Sequence, residues 1–302
     1  MAKAERRFPS PLRYPGGKGR LANYVKILLT QNDLADVHYV EPYAGGASIA
    51  LSLLFEEYAR RIHINDLNRS IYAFWHSVLD ETDNLCRLIR DTKVSIEERE
   101  RQRAVQDDPD ASLIALGFST FFLNRVNRSG IIRGGVIGGK KQDGPWALDA
   151  RYNRSDLTER IEKIARYRRR ISLTNLDAVE FLQNYVPNLP ANTFVYLDPP
   201  YYGKGKDLYQ HFYEHADHAA IAALVPTIQQ PWIVSYDQHA KLLPLYAGYR
   251  SIEYQLSYSA QDRYQGAEVI FFAPQLEIPT IPSPAKIPLQ AVLESEMKAA
   301  VI

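Results

Sequence analysis

The chain has 302 residues, 46% of them hydrophobic and 24% charged, enough for one large or two smaller units with a buried core and unlike a disordered, collagen-like or coiled-coil chain. No uncharged apolar run approaches the roughly 18 residues of a membrane span, the charged start has no secretory apolar stretch, and a single cysteine, Cys86, excludes an internal disulfide, so a cytoplasmic chain with no membrane partner is expected. The net charge of +1 conceals an asymmetry: residues 118–170 carry a net of +8 and the remainder −7, a local basic block of the kind that meets a polyanion.

In chain order, a Pro-Gly-Gly-Lys segment at Tyr14–Gly19 precedes a helical pattern with Leu21, Val25, Leu28 and Leu29 on one face. A strand is predicted at 37–41, a helix with Ile49, Leu53 and Leu54 inward, and a strand at 61–65. Residues 69–125 read as successive helices. A loop, Asn127–Gly144, then holds six of the sixteen glycines, and an amphipathic helix follows with Leu157, Ile161 and Ile164 on one side. The run Arg166–Arg170 either tracks a phosphate backbone or is a solvated helix end. Strands return at 171–174, 193–197, 231–235, 249–257 and 268–273, and the segment around His211, His215 and His218 reads as a mobile polar loop. The last two strands are too close for a helical crossover and predict an antiparallel hairpin. The tail from 276 to 302 is Pro-rich and reads as a weakly ordered strap with one short helix at 289–300. Trp75, Trp146 and Trp232 are expected to pack. The alternation of strands and helices predicts an α/β fold: a Rossmann-like, mostly parallel sheet with an antiparallel edge hairpin, plus a mainly helical insertion.

The strongest local feature is Asp198-Pro199-Pro200-Tyr201 directly after the apolar run 193–197. Ligands of open parallel sheets bind beyond the carboxyl ends of the strands. Two prolines fix the backbone and supply no N–H, so the turn offers a carboxylate, carbonyls and an aromatic face. That set suits an amino group on a flat ring. Glu41-Pro42-Tyr43-Ala44-Gly45-Gly46 is a second strand-to-turn junction, and Asn65-Asp66 ends the next strand, where an acid can accept from ribose hydroxyls. The spacing of the glycines is not that of a dinucleotide fingerprint, and Gly19 stands where a phosphate loop needs Ser or Thr.

Pro-Gly-Gly-Lys, Glu-Pro-Tyr-Ala-Gly-Gly, Asn-Asp-Leu-Asn, a basic insertion and Asp-Pro-Pro-Tyr occur in this order over about residues 11–273. The ordered set resembles the D12 class of N6-adenine DNA methyltransferases, the class of the Dam methylase. The resemblance implies S-adenosylmethionine as methyl donor with no metal, and double-stranded DNA as partner. It further implies catalysis by Asp198, Pro199, Pro200 and Tyr201, with Tyr201 stacked on a flipped base, and cofactor contacts from Tyr14, Gly17, Lys18, Glu41, Gly45, Asp66, Asp177 and Asp198. It divides the chain into a catalytic unit, 1–68 with 169–275, and a target-recognition insertion, 69–168, ahead of the 276–302 tail. Asn124, Arg125, Arg128, Arg133, Lys140 and Lys141 are then the expected DNA contacts. The Gly-rich loop departs from the Dam pattern, so a GATC target is not implied. A monomer is expected, with a cognate restriction endonuclease as a separate protein. The same chemistry on RNA, N4-cytosine methylation and an inactive nucleic-acid-binding homologue are the alternatives.

Overall fold

The computed structural model describes residues 9–13, 18–202, 213–258 and 264–299. Their strands form one seven-stranded sheet in the order β3-β2-β1-β4-β5-β7-β6. The strands are β1 Val37–Glu41, β2 Ala59–Asn65, β3 Ile171–Thr174, β4 Thr193–Leu197, β5 Trp232–Asp237, β6 Ser251–Tyr258 and β7 Tyr264–Phe272. β1 to β5 pair in parallel, and β7 runs antiparallel between β5 and β6. The expected α/β class and edge hairpin are both present; residues 259–263, which join the hairpin, lie outside the described residues. Every residue of β4 is buried, as expected of a central parallel strand covered on both faces.

Helix α1 (Ala22–Gln31) precedes β1, and α2 (Ser48–Phe55) links β1 to β2. Between β2 and β3 come α3 (Arg69–Asp80), α4 (Thr82–Asp91), α5 (Ile96–Asp107), α6 (Leu113–Val126) and α7 (Arg154–Arg166). Asn68, Ser95, Ser112 and Asn153 start four of these helices, each side chain accepting a backbone N–H of the first turn. The helices do not stand apart from the sheet. Phe74, Trp75, Phe121, Phe122 and Ile161 belong to one apolar cluster with Ile62, Val40 and Val195.

Two expectations are corrected here. The tail is docked, not weakly ordered: Leu276, Ile287 and Val292 are buried, and Asn32 on α1's end exchanges bonds of 2.8 and 2.6 Å with the Glu277 backbone. The helix Leu289–Ala299 lies against α1, and Tyr58 donates to Glu296. Apolar residues spaced among the prolines give the strap a face to bury. Secondly, the histidine segment is partly helix, His215–Leu224, with His218 fully buried; His211 lies outside the described residues.

Parallel strands share one carboxyl edge. The chain runs from β1 outward to β2 and β3, then returns to β4 and β5 on the other side. The switch point therefore falls between β1 and β4, and the crevice there opens at Glu41 and Asp198. Arg168–Arg170 precede β3 and so lie at the opposite, amino edge. Arg170 forks onto Glu57 at 3.0 and 2.9 Å and donates to the Arg60 and Ala59 carbonyls, which is a structural clasp. Among the described residues no helix is long and apolar enough to cross a membrane.

Candidate active site

The carboxyl edge is held by a polar latch. Asn65, fully buried at the end of β2, donates to the Pro42 and Leu176 carbonyls at 3.0 Å each. Its Oδ1 accepts from Thr174 at 2.8 Å and from the Leu176 N–H at 2.9 Å. One side chain thus ties the exits of β1, β2 and β3 together with every bond satisfied.

The turn after β1 is shaped by its glycine and its neighbours. Gly45 has φ +46°, a conformation glycine adopts without steric cost. Its N–H donates to Asp66 Oδ2 at 2.8 Å, and its carbonyl accepts from Trp75 Nε1 at 2.9 Å. Asp66 Oδ1 takes the Asn68 N–H at 2.9 Å. Burial pushes Asp66 up to about 6 despite these two donors. Each oxygen keeps a lone pair for a further donor. Glu41 is buried below the turn, accepts from the Ala50 N–H at 3.1 Å, and is pushed by burial up to about 8. Asp177 is exposed and caps a short helical turn, α8 (Ala178–Glu180), through Val179 N–H at 2.8 Å.

Asp198 leaves β4 on the other side of the switch point. Its Oδ1 accepts from Ser235 Oγ at 2.7 Å, and that hydroxyl is 2.8 Å from Tyr196 OH. Lys18 Nζ stands 3.4 Å from the same oxygen, yet the Asp198 side chain remains 27% accessible. Burial raises Asp198 from the ordinary aspartate value, with Lys18 and Ser235 opposing. Lys18 itself is enclosed: it donates to Glu268 Oε2 at 2.7 Å and to Tyr201 OH at 3.3 Å, and its ammonium is 4.8 Å from the Tyr201 ring centre. Burial works against this ammonium, but Asp198, Tyr201 and Glu268 outweigh it and hold it well above its ordinary value. Tyr201 is only 5% exposed. The next residue, Tyr202, donates its N–H to Asp237 at 3.0 Å and stacks on His239 with ring centres 4.2 Å apart.

The structure thus brings Lys18, Glu41, Gly45, Asp66, Asp198 and Tyr201 to one edge of the sheet. Tyr14 and Gly17 lie outside the described residues. Ser235, Tyr196, Asp237 and Glu268 complete the site and were not expected. The available signal was a polar or acidic residue inside an otherwise apolar strand, where an unpaired group is costly.

The insertion separates the six expected DNA contacts into two sets. Arg128, Arg133, Lys140 and Lys141 are exposed; Arg133 pairs with Asp107 at 3.0 Å. Asn124 and Arg125 are buried instead. Asn124 accepts from the Arg13 N–H at 2.8 Å and donates to the Arg13 and Gly130 carbonyls at 2.7 and 2.8 Å. Arg125 donates to the Pro11 carbonyl, and burial beside Arg160 and Arg13 pushes it down to about 9. These two side chains hold residues 11–13 against α6. Gly130 (φ +78°) completes the contact, since a Cβ there would lie 2.2 Å from the Arg13 carbonyl oxygen. Trp146, expected to pack, is 60% exposed, with the Arg151 guanidinium 5.5 Å from its ring centre.

The site is lined by acceptors: Asp198 and Glu268 flank the buried Lys18 ammonium, and Glu41 and Asp66 lie at the carboxyl ends of β1 and β2. Such a set can take a ligand rich in N–H donors or positive charge. A curated relative, the Type II methyltransferase M.MjaIII of Methanocaldococcus jannaschii, is 24% identical over 206 residues, covering 63% of this chain and 68% of the relative. The model of the D12 class of N6 adenine-specific DNA methyltransferases matches residues 14–260, a span that runs from the Pro-Gly-Gly-Lys segment past the Asp198 turn and β5 to the end of β6, and the chain belongs to that family.

Proposed function

We propose that this protein transfers the methyl group of S-adenosylmethionine to N6 of adenine in double-stranded DNA, with the target base swung out of the duplex. The observation that carries this reading is Asp198 itself: a carboxylate at the switch point, one oxygen held by Ser235, and still 27% accessible. The adenine amine is a weak nucleophile because its lone pair is delocalised into the ring. Asp198 and the Pro199 carbonyl each accept one N6 hydrogen, which orients the nitrogen toward the methyl donor. Alignment and exclusion of water, not strong base catalysis, lower the barrier. Extrusion of the base costs a few kcal/mol, offset by contacts in the pocket. Tyr201 is closed off in this structure, so stacking on the base requires the turn to open as DNA enters.

The residues present fit the cofactor. Asp66 and Asp198 at one edge of the sheet, with Glu268 beside the buried Lys18, supply acceptors that suit a cationic ligand. Asp66 accepts from ribose hydroxyls through its remaining lone pairs, and the Gly45 turn above the buried Glu41 allows close backbone approach. Lys18 acts through the turn, since its donors face Glu268 and Tyr201. When bound, the cofactor supplies an electrophilic methyl group on a sulfonium.

In this reading 1–68 with 169–275 form the catalytic unit, and 69–168 the target-recognition part. Arg128, Arg133, Lys140 and Lys141 neutralise phosphates, while Asn124 and Arg125 brace the recognition loop from within. The relative is named a Type II methyltransferase, which supports a cognate restriction endonuclease as a separate partner. The protein acts as a cytoplasmic monomer. The test is expression in a host lacking adenine methylation, followed by modification-sensitive long-read sequencing of its genome. The wild type is expected to leave N6-methyladenine at one recurrent motif and Asp198→Ala to leave none. A folded wild type that modifies RNA, cytosine N4 or nothing defeats the reading.

A further inference from the structure

Glu268 sits in β7 with Asp237 of β5 and Tyr254 of β6 as its cross-strand partners. Two acidic side chains directly opposite each other repel, and Glu268 is fully buried. A carboxylate in that position needs a strong reason and a strong partner. Its partner is Lys18, 2.7 Å from Oε2. Oε1 has no hydrogen-bond partner among the described residues, and neither has Tyr254 OH. The ammonium of Lys18 is therefore shared unequally: 2.7 Å to Glu268 and 3.4 Å to Asp198.

We propose that Glu268 is a positioning residue that anchors Lys18 beside the Asp198–Tyr201 turn and keeps that ammonium from closing on Asp198. The inference rests on the functional reading above, which requires Asp198 to accept a hydrogen from the substrate amine. Asp198 Oδ1 already takes the Ser235 hydroxyl. An ammonium drawn fully onto it would occupy the remaining acceptor capacity of that oxygen and turn the carboxylate away from the substrate. Glu268 prevents this by being the stronger partner. The groups facing Glu268 are Lys18, Asp198, Asp237 and Tyr254, and Lys18 is the one cation among them.

Glu268→Gln keeps the shape and removes the competing charge. Lys18 then pairs with Asp198, whose titration falls by about one pH unit because a nearby cation favours the ionised form. The expected kinetics are a kcat about tenfold to a hundredfold lower, a KM for DNA within about threefold of the wild type, and the acidic limb of the kcat–pH profile displaced to lower pH. Glu268→Asp, which keeps the charge, is expected to restore part of kcat and most of the wild-type limb. Independently of turnover, a carbon-detected NMR titration of the Asp198 carboxyl group in the substrate-free protein reads the same displacement. An unmoved Asp198 titration in a folded Glu268→Gln variant overturns the proposal, as does an unmoved kcat. If the titration moves but the wild type methylates no DNA, the functional reading fails and the anchoring of Lys18 stands.

Discussion

Asp198 owes its state to burial and to two neighbours that act against it. Burial favours its protonated form, while the Ser235 hydroxyl and the Lys18 ammonium favour the carboxylate. The Ser235 bond is the shorter, at 2.7 Å, and Tyr196 OH supports it at 2.8 Å from the far side. Ser235→Ala removes a donor to the charged form and nothing else at that oxygen, so Asp198 should protonate more readily. The expected result is a kcat about tenfold lower, with the acidic limb of the kcat–pH profile displaced upward and KM for DNA nearly unchanged. This is the opposite displacement to that of Glu268→Gln, and the two profiles measured side by side separate a lost hydrogen bond from a misplaced cation. A Ser235→Ala profile identical to the wild type would show that Asp198 is not governed by this bond. Asn65 makes the contrasting case at the same scale: its polar atoms are all bonded to the three strand exits, so its contribution is to shape and not to reactivity.

At the scale of elements, the insertion separates structural from surface charge, and the surface part carries a prediction. Lys140 and Lys141 lie exposed on the Gly-rich loop. Contacts of that kind neutralise phosphates and release counterions. Lys140→Ala/Lys141→Ala should weaken binding about equally on cognate and unrelated duplexes, and lower the slope of log K against log salt by about 2. A loss confined to the cognate sequence would mean that one of them reads a base. The strands were legible in the sequence because β4 and its neighbours are buried on both faces and read as short apolar runs between turn signals. The Asp198 turn was legible for the same reason, as a polar stop to such a run. Glu268 and Ser235 were not, since a lone polar residue inside a strand reads as an interruption until its partner, more than 30 residues away in sequence, is in view. Asn124 and Arg125 were misread by their basic context. α6 is buried from Leu116 to Val126, and a helix enclosed on all sides must turn its last polar residues inward too. The tail misled by its prolines, which mark an extended path and say nothing of what that path packs on.

Across the whole molecule the buried acids at the carboxyl edge set how stability depends on pH. Burial raises Asp66 to about 6 and Glu41 to about 8, whereas at Glu268 the Lys18 ammonium 2.7 Å away opposes the upward push of burial. In the unfolded chain these groups ionise near 4, so between that value and the folded value the native state holds the extra proton. Stability is then greatest at low pH and falls as pH rises through the folded values. Two histidines oppose this at the acidic end: burial lowers His63 and His218 to about 4. Their unfolded forms take up protons below about 6.5, so their contribution to stability rises with pH up to that point and is constant above it. From pH 4.5 to 6.5 the two sets work against each other. From 6.5 to 8.5 only the acids still titrate, chiefly Glu41. The ligand-free protein should therefore lose on the order of 2 kcal/mol between pH 6.5 and 8.5. Urea unfolding at constant ionic strength measures this as a falling midpoint at an unchanged m value. Glu41→Gln should flatten most of the slope, because the group whose proton is lost at the highest pH in that window is then gone. A wild-type midpoint that stays level or rises over the window would show that Glu41 is already ionised in the folded protein near neutrality, and that its charge is present before any cation enters.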